Sequence, residues 1–415
     1  MEATDFVRLL KNMHPDSEVW LDASPTGYTA LRQRLLMCYP QVRVFTEELL
    51  PERFSPGLAG VSGATTNPRL VASTIIDDQE HWWPRIHALH RENDNAQIQQ
   101  RLHAELIGQG AGLLKGLWHK SGHQQGWLSA QVNALDVHST ERMVQEGLLL
   151  ARIAPNVLVK VPGSGAGYAA IERLVAQGCS INNTFCFSMS QVAAGIEAIR
   201  RGQVIALRNG RDLSASRYVI TFMIGRWGGE ALLDWQAEQQ GIHLTPLDKR
   251  WAEIAIYQTI QAFMARQLSP ARLLLSSIKV DQAADGSRQC WHLQKTGEHE
   301  TRYTLTAEII EFLVQREAEG KPLQPERDNA IPSTTMRKLM QLPYFRESCF
   351  EGAIAPADFA RQPAFIRARH EACKAHRRLG DFIVSGLASK ASDHLTHWSG
   401  RSAPVNPQAR PGAAT

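Results

Sequence analysis

Residues 156–188 read NVLVKVPGSGAGYAAIERLVAQGCSINNTFCFS, and the rest of the chain falls into place around them. The run VLVKV at 157–161 is apolar at consecutive positions rather than alternate ones, which marks a parallel strand covered on both faces. A glycine-rich turn follows, then good helix formers over 165–177, then a second β-prone run at 179–185. Strand, helix, strand is the βαβ unit. Working outward, similar strand candidates lie at 18–22 (EVWLD), 58–62 (LAGVS), 127–132 (WLSAQV), 218–222 (YVITF), 272–276 (RLLLS) and 289–293 (QCWHL). Helical spacing separates them at 68–76, 79–107, 139–153, 190–201, 248–266 and 306–315. About eight repeats of strand then helix make the pattern of a (β/α)8 TIM barrel. An open doubly wound sheet shares that alternation, but no GxGxxG follows the first strand, which counts against its dinucleotide-binding version.

The chain has 415 residues, 43% hydrophobic and 21% charged, a soluble globular composition. Its formal net charge of +4 is spread along the sequence without a block of one sign, so no nucleic-acid partner is indicated. No run of about 18 apolar residues suggests a membrane span, and the amino terminus carries no apolar leader, so a cytoplasmic protein is expected. The six cysteines have neither CxxC spacing nor regular intervals, and we read them as reduced and mostly buried. His87, His90, His119 and His123 lack a carboxylate at zinc-motif spacing, so neither a metal nor another cofactor is expected. The glycines of 108–127 (GQGAGLLKGLWHKSGHQQGW) argue for a loop after the helix that precedes them. Three divisions follow: a barrel over 1–315, a helical C-terminal extension over 316–391 packing on it, and a disordered small-residue tail over 392–415.

In a barrel, polar residues at the carboxyl ends of the strands face the active-site mouth. Lys160 is the most informative of them. Set among apolar neighbours it would be largely buried, and desolvation would lower its pKa and free an amine to attack a carbonyl; a lysine that snorkels out of a strand edge is the alternative. Asp22 ends the first strand and has the form of a general acid and base, though a turn residue would look the same. Thr65, Thr66 and Asn67 follow the second strand, where Asn67 before Pro68 is equally a helix start signal. Gln131 ends the third strand. Asn182 and Thr184, two apart, share one face of the fifth. Thr221 and Arg226 belong to the sixth, and Ser277 and Lys279 to the seventh; Arg226 with the SSIK segment could bind phosphate or could form surface ion pairs. GSGAG at 163–167 lacks the GKS ending of a phosphate loop and reads as a tight strand-to-helix connection.

Six motifs occur in order: VWLD (19–22), GATTNP (63–68), NVLVKVPGSGAG (156–167), INNTFCFS (181–188), ITFMIGR (220–226) and LLLSSIK (273–279). Their order and spacing, from about residue 18 to 304, resemble the transaldolase family of Schiff-base aldolases. The resemblance implies a closed (β/α)8 barrel that moves a dihydroxyacetone unit between sugar phosphates in the pentose phosphate pathway, with no cofactor. By that resemblance Lys160 is similar to the Schiff-base lysine and Asp22 to the acid–base aspartate. Asn67 and Asn182 resemble the asparagines on the dihydroxyacetone hydroxyls, and Thr184 the threonine that holds the catalytic water. Arg226, Ser277 and Lys279 fall where the family anchors phosphate, with Thr65 and Thr221 beside the substrate. The departures are specific. Gln131 stands where a glutamate is common, and an amide cannot act as a base; Thr221 and Met223 replace a serine and an aromatic residue; Lys279 replaces a frequent arginine and loses bidentate geometry. Related simple aldolases resemble this chain in having that glutamine. The open alternatives are therefore an aldolase without obligatory transfer and a non-catalytic barrel that binds a ligand. The helices beyond 315 could cover the mouth or mediate a homo-oligomer.

Overall fold

In the computed structural model the sheet closes on itself in the order β1-β10-β7-β6-β5-β4-β3-β2, with every neighbour parallel. The described residues are 5–282, 286–297, 299–326 and 329–398, with side chains described up to 388. The barrel strands are β1 (Glu18–Asp22), β2 (Val61–Thr65), β3 (Trp127–Gln131), β4 (Val157–Pro162), β5 (Ile181–Cys186), β6 (Tyr218–Phe222), β7 (Arg272–Leu275) and β10 (Arg302–Leu305). A two-stranded hairpin, β8 (Asp281–Gln282) with β9 (Arg288–Gln289), stands apart. β4 and β5 are buried at every position, β5 even at the polar Asn182, Asn183 and Thr184, as strands with helices outside and side chains inside must be. The (β/α)8 barrel with C-terminal helices is thus the fold, and the open sheet is excluded by the pairing of β1 with both β2 and β10.

The barrel interior is layered. At the amino end of the strands Glu18 is buried between Arg217 and Arg302 and accepts the Trp20 Nε1–H bond at 2.8 Å. Above it Trp20, Trp127, Leu158, Val219 and Leu274 form a separate apolar plug with Trp118. Gly63 makes room for that plug: a Cβ there would come within 2.7 Å of the Trp20 ring. Because side chains alternate along a strand, the next inward positions are polar, and they form the floor of the mouth.

Several expectations need correction. The eighth strand is β10, not residues 289–293; Trp291–Thr296 is a helix whose His292 and Leu293 are buried outward of the barrel. The expected loop over 108–127 is mostly helix, Asn95–Lys120, stabilised by an Asp94 capping box and by tertiary packing. Of its glycines, Gly110 is needed for contact, since a Cβ would lie 2.8 Å from Pro25 and 3.1 Å from Leu128. The helix expected over 79–107 is broken at 91–94 into Gln79–His90 and the helix just named. β2 begins at Val61, three residues later than read, which brings Thr65 into the strand.

The division at residue 315 falls inside the helix Ala307–Ala318. One hydrophobic core joins barrel residues to Leu339, Tyr344, Phe345, Phe359, Phe365 and Cys373, so the extension shares the barrel's core. Trp227 stacks on Tyr344 with ring centroids 4.9 Å apart and donates its Nε1–H to Ser348 Oγ at 2.8 Å. The last helix, Pro363–Trp398, runs past the expected boundary at 391. It packs by Leu379 and Ile383 on a satellite core with Val71, Ile75, Trp82 and Ile98. The remainder of the expected tail, residues 399–415, lies outside the described residues. No described helix is long and apolar enough to cross a membrane.

Candidate active site

Lys160 sits on β4 between Gln131 of β3 and Asn182 of β5, its register partners on either side. It is 7% exposed, and its Nζ donates to the Thr66 carbonyl at 3.0 Å. Burial lowers its pKa; the charge of Asp22 opposes that and the charge of Arg226 adds to it. At the end of β1 Asp22 accepts a 2.8 Å hydrogen bond from Thr65 Oγ1, which is also 2.6 Å from Thr304 Oγ1. Burial pushes the Asp22 carboxyl up, against the pull of Lys160 and the Thr65 bond. The barrel therefore moves the lysine toward a free amine and the aspartate toward a proton carrier.

On the other side of Lys160 the Asn182 amide is clamped. Its Oδ1 accepts from Thr221 Oγ1 at 2.6 Å and its Nδ2 donates to Ser129 Oγ at 2.9 Å. Thr184, 1% exposed, lies two residues along β5 on the same face. Among the described residues the Nε2 of Gln131, a side chain only 4% exposed, finds no hydrogen-bond partner. Gln131 also lines a cavity of about 540 Å³ between the helices Asn95–Lys120, Thr140–Ala151 and Pro363–Trp398. In its wall Glu146 is pushed up to about 7 by burial, despite accepting the Asn133 backbone N–H at 2.7 Å. Burial drives His103 down to about 4 there.

Two expected residues are used differently. Asn67 spends one acceptor site of its Oδ1 on the N–H of Leu70, capping the helix Pro68–Asp77, and keeps both N–H donors of its Nδ2 for a substrate hydroxyl. Ser277 adopts a left-handed backbone, φ 60°, and the absent Cβ of Gly225 is what lets its carbonyl approach that glycine. The inward hydroxyl at the end of β7 is that of Ser276, two residues beyond the plug residue Leu274, and its buried Oγ has no partner among the described residues.

Arg226 lies in the short helix Ile224–Trp227 and pairs with Glu371 of the last helix at 2.6 Å. Lys279 is held from behind. Its backbone N–H donates to His292 Nδ1 at 3.1 Å, His292 Nε2 is 2.9 Å from Glu253 Oε2, and Glu253 Oε1 accepts the Gly228 N–H at 3.0 Å. Arg250 closes this network on Glu253 and Asp281. One buried carboxylate thereby fixes the backbone beside both Arg226 and Lys279.

The sequence reading missed Ser129, Ser276 and Thr304. Strand alternation signals the first two, each two residues from an inward neighbour, while Thr304 was lost with the misplaced eighth strand. Glu253, Arg367 and Glu371 carry no local signal. Among the described residues no group of three or more His, Cys, Asp or Glu is placed to hold a metal ion.

The family model described as Transaldolase/Fructose-6-phosphate aldolase matches residues 54–343. The chain belongs to this family. Among curated relatives, the transaldolase of Mycobacterium ulcerans (strain Agy99) is 27% identical over 209 residues, 48% of this chain and 56% of that protein. The transaldolase of Thiobacillus denitrificans is 31% identical over 172 residues, 40% of this chain and 47% of that protein. A longer match, to the transaldolase of Mycobacterium bovis, is 24% identical over 317 residues, 71% of this chain and 77% of that protein. The first of these matches spans about half the length of the relative.

Proposed function

We propose that this protein transfers a dihydroxyacetone unit between sugar phosphates through a Schiff base on Lys160. The observation that carries the reading is the burial of Lys160 in a polar ring at the carboxyl end of the barrel, with its pKa lowered and Asp22 as its opposing charge. Lys160 Nζ would add to the ketose C2 carbonyl and lose water to give an iminium. As the C3–C4 bond breaks, its electron pair enters the iminium to leave an enamine, and the C4 hydroxyl proton passes to Asp22. The aldose phosphate departs. The enamine carbon then adds to an acceptor aldehyde, Asp22 returns its proton to the new hydroxyl, and water releases the product from Lys160.

Asn182, and Asn67 through its Nδ2, would hold the dihydroxyacetone hydroxyls; Thr184 and Gln131 would orient the water. Thr65 would keep Asp22 in place, and Thr221 the Asn182 amide. Arg226, Lys279 and the serines of the β7 end would take the phosphate. Such a reaction belongs to the pentose phosphate interconversions of the cytoplasm and needs no cofactor. A second reading, aldol cleavage without obligatory transfer, is favoured by Gln131, whose amide orients water but cannot deprotonate it.

The test is borohydride trapping with fructose 6-phosphate and separately with dihydroxyacetone, followed by peptide mapping. An adduct on Lys160, absent from Lys160→Met, supports the Schiff base; a requirement for erythrose 4-phosphate for turnover separates transfer from cleavage. No adduct on folded protein with either compound overturns both readings in favour of a ligand-binding barrel.

A further inference from the structure

The last helix carries a third cation, Arg367, to the rim of the mouth beside Arg226 and Lys279. Arg367 Nη2 donates to the Gly229 carbonyl at 2.9 Å, and its Nε is 3.4 Å from Glu230 Oε1. A Cβ built on Gly229 would be 3.4 Å from Arg367 Nη1 and 3.9 Å from Lys279 Nζ, so the two cations flank one glycine notch. Gly229 does not have a positive φ, and the conformation does not call for glycine. Three residues earlier in the same turn is Arg226, held by Glu371 from the next turn of the same helix. Arg226, Lys279 and Arg367 thus gather about Glu230 and Glu371 at one edge of the mouth, with the Arg250, Glu253 and Asp281 network behind Lys279.

The partners are unequal. Glu230 is 5% exposed, its Oε1 accepts no hydrogen bond from the described residues, and its ion pair with Arg367 compensates a carboxylate that cannot leave. The Glu371 side chain is 45% exposed and long enough to swing into solvent. A dianionic phosphate offers Arg226 more charge and more acceptor oxygens than a solvent-exposed carboxylate does. The helix itself is fixed, with Phe365 buried against the Phe185 ring at 5.4 Å and Ala368, Ala372 and Cys373 in the core, so exchange needs only a side-chain rotation.

We infer that the C-terminal helix completes a phosphate-monoester site on the rim of the barrel, with Arg367 as a third cationic ligand beside Arg226 and Lys279, and Glu371 as the resident counter-ion that the phosphate displaces. This deepens the proposed function and rests on it for the identity of the ligand. The extension is then part of the substrate site. It sets the preference for phosphorylated substrates by adding an anchor and by making every anion compete with Glu371.

Inorganic phosphate titrated into the full chain by calorimetry at low salt tests this directly. Arg367→Ala should weaken phosphate about fivefold, the loss of one half-exposed charge-assisted contact, and Arg367→Lys should recover most of it. Glu371→Gln should tighten phosphate about threefold by removing the competitor. In steady state the same variants should shift KM for a phosphorylated substrate and leave kcat in place. Equal phosphate affinity in wild type, Arg367→Ala and Glu371→Gln, all folded by circular dichroism, overturns the inference, as does failure of wild type to bind phosphate. Trapping with unphosphorylated dihydroxyacetone separates the two proposals. A Lys160 adduct with unchanged phosphate binding refutes this one alone; altered phosphate binding without an adduct refutes the Schiff-base reading and leaves the anion site standing.

Discussion

Glu253→Gln tests whether one buried carboxylate organises the phosphate edge of the mouth. The side chain is fully buried and takes donors from Gly228 N–H, His292 and Arg250 Nη1, the last at 2.7 Å. His292 Nδ1 accepts from Lys279 N–H, so Nε2 must carry a proton and donate to Glu253. An amide has one acceptor end. If it faces His292 and Arg250, the Gln NH₂ meets the Gly228 N–H and that turn loses its anchor. If it faces Gly228, His292 must accept on Nε2 and protonate Nδ1, which then opposes the Lys279 N–H. Either way one charge-assisted bond is lost and a buried donor is stranded, a destabilisation of about 3 kcal/mol. Arg250 keeps its two 2.8 Å bonds to Asp281, which holds the loss to that figure.

Urea unfolding at pH 7 checks the stability, and phosphate affinity should fall together with it because the 228–230 turn and Lys279 lose their support. The pH dependence has a definite sign. Burial alone would raise the Glu253 carboxyl, but the hydrogen bonds from His292 and Arg250 and the charge of Arg250 win and hold it below its ordinary 4.5. Its contribution is present above about 4.5 and is lost as pH falls through the lower folded value. In Glu253→Gln that acid-side loss should be missing. A variant within about 0.5 kcal/mol of wild type at pH 7, the scatter of ordinary surface substitutions, would refute the reasoning.

Three further outcomes are expected. Glu146 is raised to about 7 in the fold, so the native state binds its proton more tightly and stability falls as pH rises from the unfolded value through about 7; Glu146→Gln should gain about 3 kcal/mol over wild type at pH 8 and less than about 1 kcal/mol at pH 5, measured by urea unfolding. Gly63→Ala should cost about 1–3 kcal/mol because the Trp20 ring has no room to yield inside the plug; an unchanged near-ultraviolet circular dichroism and midpoint would contradict the packing account. Gln131→Glu should shift product ratios from free cleavage toward transfer, and a constant ratio would show that residue 131 does not set the reaction type.

The alternation of strands and helices was legible because parallel strands buried on both faces leave continuous apolar runs, and Lys160, Asp22, Asn182, Thr184 and Thr221 stood out as polar residues within or at the ends of such runs. Asn67 was ambiguous for a physical reason: the residue type that binds a hydroxyl also caps a helix, and the structure commits one end of its amide to the cap. The eighth strand was misread because QCWHL and RYTL are both short and β-prone, and only pairing with β1 and β7 selects the second. The glycines of Asn95–Lys120 looked like a loop because local propensity ignores the neighbours against which a helix packs.

By itself, then, the sequence determined the repeating βα order, the absence of charge blocks and the presence of polar residues such as Lys160, Asp22 and Asn182 on the strands, since each is set by periodicity or chemistry within a few positions. Closure of the barrel, the clamp of Thr221 and Ser129 on Asn182, the Glu253 support of the anion edge, and the arrival of Arg367 and Glu371 beside Arg226 were decided only by tertiary structure. Those contacts join residues far apart in the chain, and nothing in local propensity or periodicity encodes which distant side chain will meet a buried charge.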